Sequence, residues 1–430
     1  MRPDRRAWDG IDAAELAAGL RAATGAPEEV AAEAAALVES VRRGGDARLL
    51  QLGEELDGVR VEHLEVAAEI RAEQAGAVSV ALQAALQAAA QNIRAVARAQ
   101  VRAEADIVDP GQGQTVTVRE VAVGSAGIYV PGGRAAYPSS VLMGAIPARE
   151  AGVDRVVVAS PPAANGMPEP AVLAAAEIAG VDAVYAIGGA QAIGALAYGT
   201  ETVESVDVIA GPGGPWVQEA KLAVSRVVGT DGYAGPSELV VLTDGSVEPR
   251  WLALDLCAQA EHGDDGLLVA ICIGDADPDA LLGAIEVVAG NYESVPDASI
   301  SVVTAPSTTA ALELAEALAP EHLELACACA DSIADSITRA GCVFVGPLGA
   351  TAFGDYAAGS NHVLPTGGAG RFTGPLGPGT FRRRISTVRM SSEAAVELGP
   401  VVDEIARAEG FVVHGASALA RAGETERRRR

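Results

Sequence analysis

Short apolar runs alternate with helical stretches through most of this 430-residue chain. The runs consist mainly of Val, Ile, Leu and Ala, which is typical of strands that are covered on both faces. A parallel sheet flanked by helices is the arrangement that satisfies such a pattern. Three of these strands are predicted at 155–159, 183–187 and 206–210, and five more at 238–242, 267–271, 299–303, 322–326 and 342–345.

The alternation comes in two successive blocks, which predicts an α/β protein with two doubly wound, Rossmann-like domains and helical extensions at both ends. Helical periodicity dominates residues 11–106, a strand is predicted at 115–118, and two helices are predicted at 391–409 and 416–424. A Gly/Pro-rich loop is predicted at 367–379. The predicted domains are an N-terminal extension (1–20), a discontinuous α/β domain (21–127 with 238–375), a second α/β domain (128–237) and a C-terminal helical extension (376–430).

The net charge of −26 argues against nucleic-acid binding, because nothing would offset repulsion from phosphates. No apolar stretch reaches the roughly 18 residues of a membrane span, and the N-terminus lacks the apolar segment of a secretory signal. The five cysteines lie in hydrophobic runs and are predicted to be reduced, with Cys327 and Cys329 in the core of a strand. The expected protein is soluble and cytoplasmic.

The chain contains only five histidines, and four of them lie among carboxylates and amides in its second half. Imidazole titrates near neutrality and binds metals in its neutral form, so this placement indicates a site with a metal and a base. Gln259 and His262 are three residues apart on a predicted helix, a spacing that suits two ligands of one metal. An ordinary surface helix face explains the same spacing.

The remaining clusters are ambiguous when each is considered alone. Glu321 and His322 follow Pro320 at a predicted helix–strand junction. They fit either an acid/base pair or an ordinary solvated turn. Asp355 lies between glycines, in a loop that presents a carboxylate to a ligand or in a plain turn. His414, between the two last predicted helices, is by itself a surface histidine.

Glycine-rich turns follow three strands of the first α/β block, at residues 131–133, 188–189 and 211–214. The last two lead into predicted helices, whose N-terminal amides are suited to hold a phosphate or pyrophosphate. Ordinary strand-to-helix turns remain an equal explanation, because the chain has neither GxGxxG nor GxxxxGK[ST].

Taken together, these motifs resemble the histidinol dehydrogenase family from about residue 35 to about residue 415. The motifs that carry the resemblance, in the family's order and spacing, are GGDARLL, NIRAV, GIYVPGGRAAYPSSVLM, GGAQAIGALAYGT, AGPSE, QAEH, PEHLE, GDYAAGSNHVLPT and AEGFVVH.

The resemblance implies oxidation of L-histidinol to L-histidine through L-histidinal, with reduction of two NAD, in histidine biosynthesis. It implies a homodimer with shared active sites, in which the C-terminal extension contacts the partner, and one zinc per subunit. The implied zinc ligands are Gln259, His262, Asp355 and, from the partner subunit, His414. These four are also implied substrate contacts, together with Ser237, Glu321, His322 and Glu409.

The resemblance also assigns individual roles. His322 would be the base that takes the hydroxyl proton, and Glu321 would help activate the water that hydrates the aldehyde. His362 would support the Asp355 loop. Tyr129 and Gln191 match NAD contacts, but Gly214 stands where the family usually has Asn, so a side-chain hydrogen bond to NAD worth roughly 0.5–1.5 kcal/mol would be missing.

Rival hypotheses are a related zinc/NAD enzyme that oxidises another small alcohol, a zinc hydrolase that uses Glu321, and a non-catalytic metal- or nucleotide-binding subunit. Ser237, Glu321 and Glu409 argue against the first rival, while Gly214 leaves it open. The glycine-rich turns would have no role in a hydrolase. A non-catalytic subunit would not need both the base and the metal ligands. His63, alone in the helical region, has no assigned function.

Overall fold

The computed structural model describes residues 2–22, 29–132 and 135–429, and these form two compact units. The main unit comprises the chain up to Gln100 together with Val123–Phe381, and the terminal unit comprises Val101–Ala122 and the residues from Arg382 onward. The strands are β1 (Arg2–Ala7), β2 (Asp106–Val108), β3 (Gln114–Ala122), β4 (Ser125–Tyr129), β5 (Arg155–Ser160), β6 (Ala183–Ala186), β7 (Val208–Ala210), β8 (Gly229–Thr230), β9 (Glu238–Thr243), β10 (Leu267–Ile273), β11 (Ser299–Ala305), β12 (His322–Ala326), β13 (Cys342–Val345) and β14 (Arg382–Met390).

The helices cover both sheets of the main unit and form about half of the terminal unit. They are α1 (Ala13–Arg21), α2 (Glu29–Leu52), α3 (Ala68–Gly76), α4 (Val80–Gln100), α5 (Pro138–Ala151), α6 (Pro170–Ala179), α7 (Gly189–Tyr198), α8 (Pro215–Val224), α9 (Pro249–Ala260), α10 (Pro278–Asn291), α11 (Thr308–Leu318), α12 (Ala330–Ile333), α13 (Thr351–Tyr356), α14 (Ser392–Ala408) and α15 (Val412–Arg429).

The main unit contains two parallel sheets. One has five strands in the order β6-β5-β4-β7-β8, and the other has six in the order β1-β11-β10-β9-β12-β13. Both contain the strand order 3-2-1-4-5 of a doubly wound sheet. Consecutive residues on both faces are fully buried, as at Val156, Val157 and Val158 of β5, which explains the uninterrupted apolar runs.

The predicted α/β class is therefore confirmed. Both sheets belong to the same compact unit, so the predicted boundary between two α/β domains stays a prediction.

β1 was not predicted from the sequence. Its residues, Arg-Pro-Asp-Arg-Arg-Ala, show neither apolar alternation nor high strand propensity. They form a strand because their backbone pairs in parallel with β11 over six residues, at the edge of the six-stranded sheet. α1 then packs into the core of that sheet through Ala17 and Leu20. Residues 2–22 are thus part of the main unit's framework.

The terminal unit combines an antiparallel sheet, in the order β14-β3-β2, with α14 and α15. The predicted strand at 115–118 lies inside β3, and the two predicted helices correspond to α14 and α15. β14 was not predicted, because its run RRRISTVRM is dominated by charge, and its pairing with β3 is what makes it a strand.

Cysteine placement corrects one expectation. Cys327 and Cys329 lie in the turn between β12 and α12, not in the core of a strand, because β12 ends at Ala326. All five cysteines are free thiols. Among the described residues, no helix combines the length and apolar character needed to cross a membrane.

Candidate active site

A cavity of about 380 Å³ in the main unit collects most of the predicted site residues. Those that line it are Ser237, Gln259, His262, Glu321, His322, Asp355, His362 and Gly214. Residues that are more than a hundred positions apart in sequence thus line the same cavity. Tyr129 and Gln191 are buried and are not in its lining.

The six-stranded sheet contributes to this cavity through the amino ends of two adjacent strands. Ser237 immediately precedes β9, and Glu321 immediately precedes β12, whose first residue is His322. His322 of β12 lies opposite Leu239 of β9, so the residues that precede the two strands lie side by side. Ligands of doubly wound sheets ordinarily bind at the carboxyl ends of the strands, whereas this sheet lines the cavity with residues at the amino ends of β9 and β12.

The sequence predicted that Gln259 and His262 lie on one face of a helix, and this prediction is wrong. α9 ends at Ala260, so buried Gln259 is in its last turn, while His262 lies in the turn that follows and is exposed. The turn still directs both side chains into the cavity. Partial desolvation lowers the pKa of His262 below its ordinary value despite the nearby Asp355 charge. The neutral imidazole that results is the form that binds metals.

His322 is buried between two hydrogen-bond acceptors. Its Nδ1 lies 3.0 Å from the backbone oxygen of Glu238, and its Nε2 lies 3.2 Å from Oδ1 of Asp355. Neither partner has a proton to donate, so the ring donates from both nitrogens and is an imidazolium. Burial alone would lower its pKa, but the Glu321 charge and the hydrogen bond to Asp355 hold the pKa of His322 well above its ordinary value.

Glu321 is buried, and burial raises its pKa above the ordinary value. Its Oε2 accepts a hydrogen bond of 2.7 Å from the backbone N–H of Glu238 and lies 3.5 Å from Nδ1 of His322. A buried carboxyl beside an imidazolium can hold or release a proton within the cavity. This pair is the part of the cavity that is equipped for proton transfer.

Asp355 lies in the short helix α13, and not in the loop or turn that the flanking glycines predicted. His362 holds this segment, because its Nδ1 donates to the backbone oxygen of Asp355 at 2.8 Å while its Nε2 lies 3.2 Å from the Ser140 hydroxyl. Burial would raise the pKa of Asp355, but the hydrogen bond from His322 and the charge interactions with the neighbouring histidines together outweigh burial, so the pKa of Asp355 is lowered. Asp355 is therefore an ionised carboxylate facing the cavity.

Three groups lie at the carboxyl edge of the five-stranded sheet. The hydroxyl of Tyr129, at the end of β4, accepts from the backbone N–H of Gly189 at 3.1 Å, and burial raises its pKa to about 12. Gln191 is buried in α7. In the turn after β7, Gly211 has φ +127° and a Cβ there would lie 2.0 Å from the Tyr129 backbone oxygen, so only glycine fits. Gly133, in the first of the predicted glycine-rich turns, is outside the described residues.

Glu409 and His414 belong to the terminal unit, and both are exposed there. Glu409 follows α14, and His414 lies in the first turn of α15, 5.5 Å from the ring of Phe411. In the described part of the chain, no group of three or more His, Cys, Asp or Glu side chains is arranged to hold a metal. Of the four predicted zinc ligands, Gln259, His262 and Asp355 share the cavity of the main unit.

The sequence analysis missed Ser140 and Glu238. Ser140 lies in the first turn of α5 and contacts His362, and nothing in its local sequence indicates this. Glu238 follows Ser237 directly, but it begins the predicted strand β9, and the sequence analysis therefore treated it only as a strand residue.

The chain matches the family profile described as Histidinol dehydrogenase over residues 21–422. Histidinol dehydrogenase of Cereibacter sphaeroides is 42% identical over 402 residues, which cover 91% of this chain and 92% of that protein. The protein of the same name from Haloarcula marismortui is 41% identical, with 89% and 91% covered. The crystal structure of histidinol dehydrogenase from Elizabethkingia anophelis is similar with a TM-score of 0.90 at 28% identity, and 99% of each chain is covered.

Proposed function

The chain belongs to the histidinol dehydrogenase family, and on that basis we propose that it oxidises L-histidinol to L-histidine through L-histidinal, with reduction of two NAD. The observation that carries this proposal is the buried Glu321–His322 pair in a cavity that it shares with Gln259, His262 and Asp355. Proton-transfer groups and polar donor atoms are therefore together at one place.

The donor set of the cavity fits zinc. Gln259 supplies an amide oxygen, His262 a neutral imidazole and Asp355 an ionised carboxylate, which are all groups that zinc accepts. We propose one zinc per subunit on these three residues, with His414 of a second subunit as the fourth ligand. When bound, zinc would orient the amine and imidazole nitrogens of histidinol, and NAD would accept the hydride.

His322 is the proposed base for the substrate hydroxyl. The backbone oxygen of Glu238 keeps the proton on Nδ1, so Nε2 is the nitrogen that exchanges a proton with a ligand. The Asp355 carboxylate now holds a proton on Nε2. A cation bound by Asp355 would offset the charge of that carboxylate and lower the pKa of His322 toward its ordinary value, at which the ring can act as a base at neutral pH.

Glu321 is proposed to help activate the water that hydrates the aldehyde. We expect Glu321→Gln to slow oxidation of histidinal by roughly 10²-fold or more, because the amide cannot take a proton. Oxidation of histidinol to histidinal should fall less, since that step uses His322. Stopped-flow measurement of NADH formation from each substrate separates the two steps. Equal losses in both would instead show that Glu321 acts by holding His322.

Gly214 caps the N-terminus of α8 with φ −64° and ψ 177°, and no atom lies within 4 Å of a Cβ placed there. We expect Gly214→Asn to fold normally, because Asn is a favoured N-cap residue. It should tighten NAD binding by roughly two- to tenfold, the value of one hydrogen bond. Fluorescence titration with NAD measures this. Gly374→Asn, also in open space, is the control, and unchanged affinity in Gly214→Asn would remove Gly214 from the proposed NAD contacts.

Ser237 and Glu409 are the further substrate contacts in this proposal. The Glu409 carboxylate would favour a substrate with a basic imidazole ring over an uncharged alcohol. Glu409 and His414 would come from the second subunit of a homodimer.

The shared site predicts complementation between two inactive variants. Mixing His322→Asn with His414→Asn subunits should restore about one quarter of wild-type activity, because half of the dimers then contain one intact site. Mixing His322→Asn with His262→Asn is the control and should restore nothing, since both residues line the same subunit's cavity. No recovery in the first mixture would place His414 and His322 of one subunit in the same site.

The function itself is tested by NADH formation from L-histidinol, with chelation and zinc restoration, alongside a panel of other small alcohols. Two NADH per histidinol are expected, with little turnover of the panel. Turnover of another alcohol and not of histidinol would favour a related dehydrogenase. Gly214, at the position where the family usually has Asn, is the feature that supports this second candidate.

Five free thiols support a reducing compartment, and we propose the cytoplasm.

A further inference from the structure

We propose that Arg21 and Glu238 are positioning residues for the reaction: together they hold Glu321 and His322 in their working geometry. The inference rests on the proposed function, in which Glu321 and His322 move protons. Neither Arg21 nor Glu238 lines the cavity where histidinol would react, so both would act through Glu321 and His322.

Glu238 and Glu321 are joined by two reciprocal hydrogen bonds. The backbone N–H of Glu238 donates to Oε2 of Glu321 at 2.7 Å, and the backbone N–H of Glu321 donates to Oε2 of Glu238 at 3.2 Å. The backbone oxygen of Glu238 also accepts from Nδ1 of His322 at 3.0 Å. Glu238 therefore contacts the side chain of each proposed proton-transfer residue, and it fixes which His322 nitrogen faces the cavity.

Arg21 holds the Glu238 carboxylate from its other side. Its two terminal nitrogens lie 2.6 Å and 2.9 Å from Oε1 and Oε2 of Glu238, in the bidentate arrangement that only arginine makes. Its Nε donates to the backbone oxygen of Leu318, at the end of α11. The backbone N–H of Gly367 completes the set with a bond of 2.8 Å to Oε1 of Glu238.

Charge gives this contact a second role. Glu238 is 3% exposed and Glu321 is 6% exposed, so two carboxyl groups are buried next to one another. Arg21 compensates the charge of Glu238, which reduces the repulsion between the two buried carboxyl groups. Arg21 is the last residue of α1 and lies directly after the predicted N-terminal extension (1–20). It connects α1 with β9 and, through β9, with β12.

The test combines four variants of the full-length protein: Arg21→Met, Arg21→Lys, Glu238→Gln and the double variant Arg21→Met/Glu238→Gln. We expect Arg21→Met and Glu238→Gln each to lower kcat roughly 100-fold, the usual cost of misplacing a reacting group, with KM for histidinol and zinc content changed less than about twofold. Arg21→Lys, which keeps the charge without the bidentate contact, should lose roughly tenfold. The double variant should be no worse than either single variant, because the two residues act as one unit.

A second readout does not depend on activity. The protein has five histidines, so selective ¹⁵N labelling of the imidazole rings gives a simple spectrum in which His322 is identified by its loss in His322→Asn. Arg21→Met and Arg21→Lys should shift the His322 signals and leave those of exposed His63 in place. The matched control is Glu39→Gln/Arg43→Met, which removes an exposed ion pair in α2 and should change neither kcat nor the spectrum.

Normal kcat together with unshifted His322 signals in folded Arg21→Met would overturn the inference, even if the melting temperature fell. If Arg21→Met does not fold, Arg21→Lys decides by the same two readouts. A wild-type protein that forms no NADH from histidinol would defeat the proposed function alone, since the His322 spectrum still reports whether Arg21 and Glu238 position the ring.

Discussion

His322→Asn should lower kcat for histidinol oxidation by roughly 10²–10⁴-fold while leaving the fold and the zinc content close to wild type. The side-chain amide of Asn reaches about as far as Nδ1 of the ring, so the hydrogen bond to the backbone oxygen of Glu238 is retained. What is lost is Nε2, the atom proposed to take the hydroxyl proton. The substitution therefore removes the base and keeps the local framework.

Three measurements check this result: steady-state kinetics with histidinol, metal analysis and thermal unfolding. His63→Asn is the matched control, because His63 is exposed and lies outside the cavity, and it should behave as wild type. Loss of zinc in His322→Asn would reassign His322 as a ligand. Unimpaired turnover would mean that another group takes the proton.

Asp355→Asn should remove most of the bound zinc and lower kcat/KM by at least roughly 100-fold. The variant keeps the size and shape of the side chain but not its charge, and zinc binds a carboxylate far better than a neutral amide. The segment itself should stay in place, because His362 holds the backbone oxygen of Asp355 and not its side chain. The loss would thus report on the metal and not on unfolding.

Metal analysis after dialysis, with activity measured at rising zinc concentration, tests this prediction. Asp335→Asn is the control, since Asp335 is exposed in a short 3₁₀ helix outside the cavity. Treatment of the wild type with a chelator should reproduce the Asp355→Asn phenotype, and added zinc should reverse it only in the wild type. Full zinc content in Asp355→Asn would exclude Asp355 from the ligand set.

The two sheets show how unevenly local patterns predict structure. Eight strands of the main unit were predicted to within two residues at each end, because each carries its apolar run in its own sequence, whereas no bounds were predicted for β4. β1 and β14 were missed, because charged residues dominate both and each is a strand only through pairing with β11 or β3. Helix ends were less certain, and one such error placed His262 on α9 when it lies just beyond.

The candidate site divides in the same way. Residue type alone identified Gln259, His262, Glu321, His322 and Asp355 as candidates, since histidine is scarce and these clusters are polar. Resemblance to a family was needed to connect them, because each cluster by itself also fits a plain turn or helix face. Arg21 carried no local signal, since its role depends on Glu238, which is 217 residues away.

What the sequence determined by itself was the class of fold and the chemistry available to the site, because apolar periodicity and side-chain type are local properties. What only the tertiary structure decided was which groups meet and in which protonation state. The amino ends of β9 and β12 bring Glu238, Glu321 and His322 together, and α13 brings Asp355 to the ring of His322. The burial and the nearby charges at these contacts set the pKa values of Glu321, His322 and Asp355. Both depend on neighbours in space that no local sequence pattern specifies.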